Sequence, residues 1–239
     1  MENWLNRQDN LIGKENTEKL SAARFAVIGL GGVGGAVTEA LARCGIGTLL
    51  LMDCDAFDET NLNRQILATR QEIGRRKAEV AAERVRSVNP ECDVTAVDMR
   101  LDSDSVGILD TFRPDCVIDA VDQVTAKLLI IGWCKENGVH VISSMGTGNR
   151  TDASSFRIAD IEDTAGCGCP LARVMRRELR ARAITEVDVL YGADPPEHTG
   201  DRTPASISFV PPVAGYLIAG FAVRRYLGID IKGTNIKKE

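Results

Sequence analysis

Residues 25–55 read FAVIGLGGVGGAVTEALARCGIGTLLLMDCD, and this stretch decides the fold. Residues 25–28 are a short apolar run of strand formers, as expected of a buried parallel strand. Gly29, Gly31 and Gly34 follow in G-x-G-x-x-G spacing, and a helical repeat starts at once with Val33, Val37 and Leu41. A second apolar run, 48–52, ends at Asp53. Strand, glycine turn, helix, strand and acid make the nucleotide-binding βαβ unit. The glycines are there for a physical reason. A side chain in that turn would hold a phosphate away from the backbone N–H groups and the positive end of the helix dipole. Asp53 is placed to accept a ribose hydroxyl. The expected class is therefore α/β, a Rossmann-like, doubly wound, mostly parallel sheet with helices on both faces and a C-terminal extension.

Working outward, the 239 residues suit one decorated α/β domain rather than two. A hydrophobic content of 44% with 26% charged residues is ordinary for a globular chain. The net charge of −5 offers no general attraction to nucleic acid, so such a partner would need a local basic face. The first ten residues, MENWLNRQDN, lack the apolar core of a signal peptide, and the apolar stretch at 213–223 is too short to span a bilayer. Seven irregularly spaced cysteines do not form a disulfide framework; Cys44, Cys54, Cys116 and Cys134 read as small core residues. The expectation is a cytoplasmic protein with no membrane span.

Residues 1–21 read as an N-terminal arm, partly helical at best, carrying Arg7-Gln8. Residues 55–77, DAFDETNLNRQILATRQEIGRRK, are polar and aperiodic, a loop across the strand ends where ligands of doubly wound sheets sit. This loop offers Asp55, Asn61, Arg64, Gln65 and Lys77. Two cations and an amide beside a phosphate turn suit a triphosphate better than a dinucleotide, because they can neutralise charge on a departing pyrophosphate. An amphipathic helix is expected over 75–89, strands over 93–97, 116–120 and 139–143, and helices over 105–112 and 125–137. Asp122 falls just past the fourth strand. It could hold Mg²⁺ against phosphates or cap the next helix. The small-residue loop 143–149, SSMGTGN, could border a ligand or be only a turn.

In the C-terminal third, Pro170 opens a helix on which Arg173, Arg176, Arg177 and Arg180 recur at helical spacing, with Arg182 beyond. Such a row is either a solvated face or a track for an RNA backbone. Residues 156–161 begin the second part of the chain, a strand is expected over 188–191, and a mobile Pro/Gly-rich loop over 192–205. Residues 206–211 read as extended, followed by an apolar helix over 213–227 whose Gly215 and Gly220 suggest close packing and by a frayed tail after Gly228.

These pieces together resemble the adenylating family of the ubiquitin-activating enzymes and their bacterial relatives. The resemblance rests on GLGGVGG (29–35), LLMDCD (50–55), TNLNRQ (60–65), Lys77 in GRRK and DAVD (119–122). It implies one adenylating domain over 1–239, with an arm (1–21), a nucleotide-binding core (22–150) and a C-terminal substrate and dimer portion (151–239). It also implies Mg-ATP binding, release of pyrophosphate and a homodimer. By position, Gly29, Gly31 and Gly34 would line the phosphate turn, Asp53 and Asp55 would sit at the nucleotide, Asn61, Arg64, Gln65 and Lys77 would meet the triphosphate, and Asp122 would hold Mg²⁺. Arg7 would reach the other subunit's ATP.

RQDNLIGKENTEKL at the start, SSMGTGN, CPLARVMRRELR and SISFVPPVAG resemble the branch of this family that acts on tRNA. That branch adenylates the carboxylate of a threonylcarbamoyl group on adenosine and closes a ring with net loss of water. The arginine row would then contact the tRNA. Relatives that activate carrier proteins often bear two C-x-x-C pairs. Here only Cys167-x-Cys169 is present, so no zinc is expected, and loop 192–205 holds no cysteine for a thioester. The alternative is an adenylyltransferase for the C-terminal carboxylate of a ubiquitin-like sulfur carrier, with a sulfur-transfer partner protein. An NAD(P) oxidoreductase would leave Arg64, Lys77 and Asp122 without work. A non-catalytic nucleotide sensor would show ATP turnover indifferent to those residues.

Overall fold

The N-terminal arm is more ordered than its sequence suggests: it forms two helices, α1 (Asn6–Ile12) and α2 (Lys14–Ala22), hinged at Gly13 with φ +85°. Little periodicity announces them, because tertiary contacts fix them instead. Leu20 is fully buried, worth about 2 kcal/mol, and the Gln8 amide donates to the carbonyl of Cys44 at 3.0 Å. The computed structural model describes residues 4–200 and 203–229.

From there the chain alternates strand and helix. In order come β1 (Arg24–Ile28), α3 (Gly32–Arg43), β2 (Thr48–Met52), a 3-10 turn at Glu59–Asn61, α4 (Lys77–Val88), β3 (Asp93–Val97), α5 (Ile108–Phe112), β4 (Cys116–Asp119), α6 (Val124–Asn137) and β5 (His140–Ser144). Then follow β6 (Phe156–Asp160), a 3-10 turn at Ile161–Thr164, α7 (Pro170–Ala181), β7 (Asp188–Gly192) and α8 (Val210–Tyr226). The seven strands form one sheet in the order β3-β2-β1-β4-β5-β7-β6, all parallel except β6, which runs antiparallel on the edge beside β7.

Alternate strand residues feed two cores. Phe25, Val27, Leu49 and Leu51 pack with α3, α4 and α8; Ala26, Ile28, Leu50 and Met52 pack with α5, α6 and α7. The strand order reverses at β1, whose neighbours are β2 and β4, so the crevice expected for a ligand lies at the C-terminal ends of β1 and β4. The register aligns Ile28 with both Met52 and Asp119. Gly29, Asp53 and Ala120 therefore leave the sheet side by side.

Several boundaries shift. The helix expected from 75 starts at Lys77, because Arg75 and Arg76 pair with the opposite end of their own loop: Phe57 N–H donates to Arg75 O at 3.0 Å and Lys77 N–H to Asp55 O at 3.0 Å. Residues 210 and 211, expected to be extended, are the first turn of α8; prolines suit that turn because its N–H groups need no partner within the helix. Gly215 packs as anticipated, since a Cβ there would run into the carbonyl of Val33 on α3, whereas Gly220 faces open space. Cys116 and Cys134 are buried core residues, and burial pushes the Cys134 thiol up to about 12; Cys44 and Cys54 are only half-buried. The tail expected to fray lies, from residue 230, outside the described residues.

Candidate active site

The glycine turn is built as the spacing requires. Gly29 takes φ +88°, and a Cβ on it would stand 2.8 Å from the carbonyl of Ala120. A Cβ on Gly34 would overlap the carbonyl oxygen of Gly29, so only glycine lets α3 approach β1 this closely. Gly31 faces room instead: the nearest atom to a Cβ there would be the Gln65 amide nitrogen at 3.9 Å. Gly34→Ala is expected to cost about 1–3 kcal/mol of stability by overpacking, measured by urea unfolding. It should also weaken nucleotide binding in calorimetry by displacing the turn.

Asp53 fastens the end of β2 to this turn. One carboxylate oxygen accepts the Leu30 N–H at 2.6 Å and the other the Asp55 N–H at 2.8 Å. Lone pairs remain on both oxygens for a ribose hydroxyl. The loop 55–77 then folds back over the turn. Phe57 and Leu67 anchor it in the core, and Leu67 rests against Gly35. At its neck the buried Lys77 ammonium meets the Asp55 carboxylate at 3.0 Å. Burial acts to raise the Asp55 carboxyl, yet the hydrogen bond and charge of Lys77 prevail and hold it below its ordinary value.

Asn61, Arg64 and Gln65 are brought to the same place. Asn61 is buried and shapes the loop: its carbonyl accepts the N–H of Arg64 at 3.1 Å and of Gln65 at 2.9 Å. Gln65 is also buried, with its side-chain oxygen unpartnered beside the glycine turn. Arg64 turns onto its own loop, donating to the Thr60 carbonyl at 2.7 Å and the Asn63 side chain at 2.9 Å.

Asp122 is exposed past β4. Its capping alternative is not realised, since α6 has Gln123 at its N-cap and no side-chain cap. Asp122 shares the neighbourhood of Arg100, whose guanidinium is raised first by hydrogen bonding to Cys54 and then by the fields of Asp55 and Asp122. Asp53, Cys54 and Asp55 offer ligand atoms within 4.8 Å of one another, the single such cluster among the described residues.

The arginine row on α7 is less free than its sequence suggests. Arg180 pairs with Glu162, Arg177 and Arg182 pair with Glu178, and the Arg176 guanidinium donates to the Thr164 hydroxyl at 2.7 Å. Glu162 comes from the 3-10 turn before the helix, so counting charges along α7 alone overlooked it. Arg173 is exposed and carries no ion pair among the described residues.

Between the exits of β4 and β5 lies a buried cluster that the expected helix over 125–137 does not announce. The Lys127 ammonium, fully buried on α6, donates to Asp119 at 3.1 Å, to the Ser143 hydroxyl at 3.1 Å and to the Ser144 carbonyl at 2.7 Å. Asp119 in turn accepts from Ser143 at 2.6 Å and from the Val121 N–H at 3.3 Å. This cluster sets the exit of β4 and β5, and with it the backbone at Ala120 on which Gly29 rests. The signal was present: Lys127 interrupts the otherwise apolar run VTAKLLII.

The glycine turn, the Asp53 carboxylate bonded to it and the loop 55–77 folded over it form one site at the strand ends, and the ThiF family pattern matches residues 5–238 of this chain. The chain belongs to the ThiF family. It is 37% identical to tRNA threonylcarbamoyladenosine dehydratase of Bacillus subtilis, covering 95% of this chain and 96% of that protein. It is 39% identical to the Escherichia coli protein of the same name over 72% of this chain and 63% of that one. The crystal structure of E. coli tRNA N6-threonylcarbamoyladenosine dehydratase in complex with ATP superposes with a TM-score of 0.87 at 31% identity, covering 94% of this chain and 93% of that one.

Proposed function

We propose that this chain catalyses the ATP-dependent dehydration of N6-threonylcarbamoyladenosine in tRNA through an acyl-adenylate. The observation that carries the proposal is the convergence of loop 55–77 on the glycine turn. It lays the buried Gln65, with its unpartnered side-chain oxygen, and the Arg64 backbone against the turn at Gly31 and Gly32, and at its neck the buried Lys77 is held by Asp55, whose own N–H is bonded to the Asp53 that fastens the turn. A relative and a solved structure that share nearly the whole chain length bear the dehydratase name.

The residues would act in sequence. The turn's N–H groups and the N-terminus of α3 hold the phosphates. Asp53 takes a ribose hydroxyl. The substrate carboxylate bonds to the α-phosphorus and pyrophosphate departs, its charge met by Lys77 and by Arg64 once Arg64 leaves its own loop. Asp122, exposed at the strand ends and free of a capping role, would hold Mg²⁺, which supplies neutralising charge to phosphate oxygens when bound. A group within the same side chain then attacks the activated carbonyl carbon, loses a proton and expels AMP, which carries off the carboxylate oxygen.

Arg7 belongs to this account only through a second copy. Its neighbour Gln8 is bonded to Cys44 at the far end of α3 from the turn, and α3 has 12 residues, about 18 Å. Arg7 would therefore meet the triphosphate of a partner in a homodimer. Arg173, Arg176, Arg177 and Arg180 would face the tRNA, with the pairs on Arg177 and Arg180 exchanged for phosphates. Reversing Arg173 and Arg177 to Glu is expected to weaken tRNA binding, to lower its salt slope by about 2 and to leave ATP affinity unchanged, as read by filter binding at several salt concentrations. Pyrophosphate release tests the substrate: stimulation by tRNA supports the proposal, whereas stimulation by a carrier protein ending in Gly-Gly, and not by tRNA, contradicts it.

A further inference from the structure

Residues 193–209 lie between β7 and α8, the helix whose Pro211 meets Gly32 of the glycine turn, and 193–200 and 203–209 of them are described. Both arms of this loop are tied to three consecutive residues that follow β5. Asn149, at φ +57°, takes the far arm in a two-way grip: its N–H donates to the Ala205 carbonyl at 2.8 Å and its side-chain oxygen accepts the Ala205 N–H at 2.6 Å. Its own carbonyl accepts the Glu197 N–H from the near arm at 2.7 Å, and the Thr151 hydroxyl donates to the Glu197 carboxylate at 2.6 Å. Arg150 completes the junction. It is 6% exposed, it forms no ion pair among the described residues, and its guanidinium donates to the carbonyls of Asp194 and Gly192, the latter at 3.3 Å. That guanidinium lies where a Cβ of Gly192 would stand, and its Nε has no partner. Pro204 closes against Gly148, where a Cβ would stand 2.7 Å from the proline Cβ.

A buried guanidinium without a carboxylate and a non-glycine residue in the left-handed region are both costly in a merely structural turn. Both costs converge on one result: the two arms, 192–197 and 204–205, are fixed to the exits of β5 and β7, the side of the crevice away from Asp53.

We propose that Asn149, Arg150 and Thr151 are positioning residues that hold the two arms, 192–197 and 204–205, as the wall of the acyl side of the site, so that the activated carbonyl meets the internal nucleophile and not water. The inference rests on the dehydratase reading. An acyl-adenylate has two fates. Attack by the internal group forms the ring and breaks the bond from the carbonyl carbon to AMP. Attack by water breaks that same bond, returns the free acid and consumes ATP without product. A wall that orients the first and excludes water decides the ratio between them.

The test is the amount of AMP formed per cyclised nucleoside, with full-length protein, ATP and substrate tRNA. Asn149→Gly keeps the positive φ but loses the acceptor for Ala205; Asn149→Asp keeps that acceptor. Asn149→Gly is expected to raise the ratio about tenfold, within the range by which small misplacements affect rate, while Asn149→Asp stays near the wild-type ratio. Arg150→Met should act in the direction of Asn149→Gly. If Asn149→Gly lowers AMP and product in proportion, the proposal is overturned. If the wild-type protein makes no cyclised nucleoside, the dehydratase reading has failed instead. Hydrogen exchange then judges the wall alone: faster exchange at 193–199 in Asn149→Gly than in Asn149→Asp sustains it, and equal exchange overturns it.

Discussion

Lys77→Ala is expected to slow ATP-dependent pyrophosphate release by about 10²–10³-fold, the range found for single preorganised electrostatic groups, while the protein remains folded. Lys77 is buried, but its partner Asp55 is 62% exposed. Removing the ammonium leaves a carboxylate that water can solvate, so the loss to stability is small. The loss to catalysis is expected to be large because Lys77 is held by Asp55, which is itself bonded to the Asp53 that fastens β2 to the glycine turn. The pairing is also robust to pH. With Asp55 held below its ordinary value, its contribution is complete above the unfolded carboxylate pKa and disappears only as pH falls through the lowered one. Single-turnover release of pyrophosphate, with circular dichroism as the control for folding, checks the prediction. A variant that releases pyrophosphate at the wild-type rate would remove Lys77 from the site.

Lys127→Met is expected to do the reverse, costing about 3–5 kcal/mol of stability by leaving a buried charge without its partner. Lys127 and Asp119 are both fully buried, so water cannot take over from the missing ammonium. The double variant Lys127→Met/Asp119→Leu should recover most of that loss, because removing both charges also removes their desolvation cost. Urea unfolding of the two single variants and the double variant gives the coupling directly. A simple sum of the single effects would show that the two groups do not depend on each other.

The contrast between these lysines also explains what the sequence could reveal. The βαβ unit was legible because its signals are local: strand formers, glycines at fixed spacing, a helical repeat and an acid after the second strand. Loop 55–77 was legible as a collection of ligand-type residues but not as a shape. Its closure depends on Phe57 pairing with Arg75 and on Asp55 meeting Lys77, contacts between residues about twenty positions apart. Spacing alone left a capping role open for Asp122, and only the structure, with Gln123 at the N-cap and no side-chain bond, removes it. The arginine row of α7 was visible as periodicity, whereas the carboxylate that pairs with Arg180 sits 18 positions earlier on another element. Lys127 and Arg150 were passed over for the same reason. A single cation in a sequence reads as surface charge, and only the packing of β4, β5 and β7 places these two out of water. Helices α1 and α2 lacked a strong apolar repeat because one buried leucine and one amide hold them in place.

Activation of a carboxylate on a tRNA nucleoside with ATP is the reaction on which every assigned role depends. Mass spectrometry of nucleosides from tRNA bearing N6-threonylcarbamoyladenosine, incubated with this protein and Mg-ATP, tests it most directly. The account predicts conversion of that nucleoside to a form lighter by one water, with one AMP and one pyrophosphate for each conversion under wild-type coupling and none without ATP. An unchanged nucleoside, in the presence of a protein shown by calorimetry to bind ATP, would contradict it.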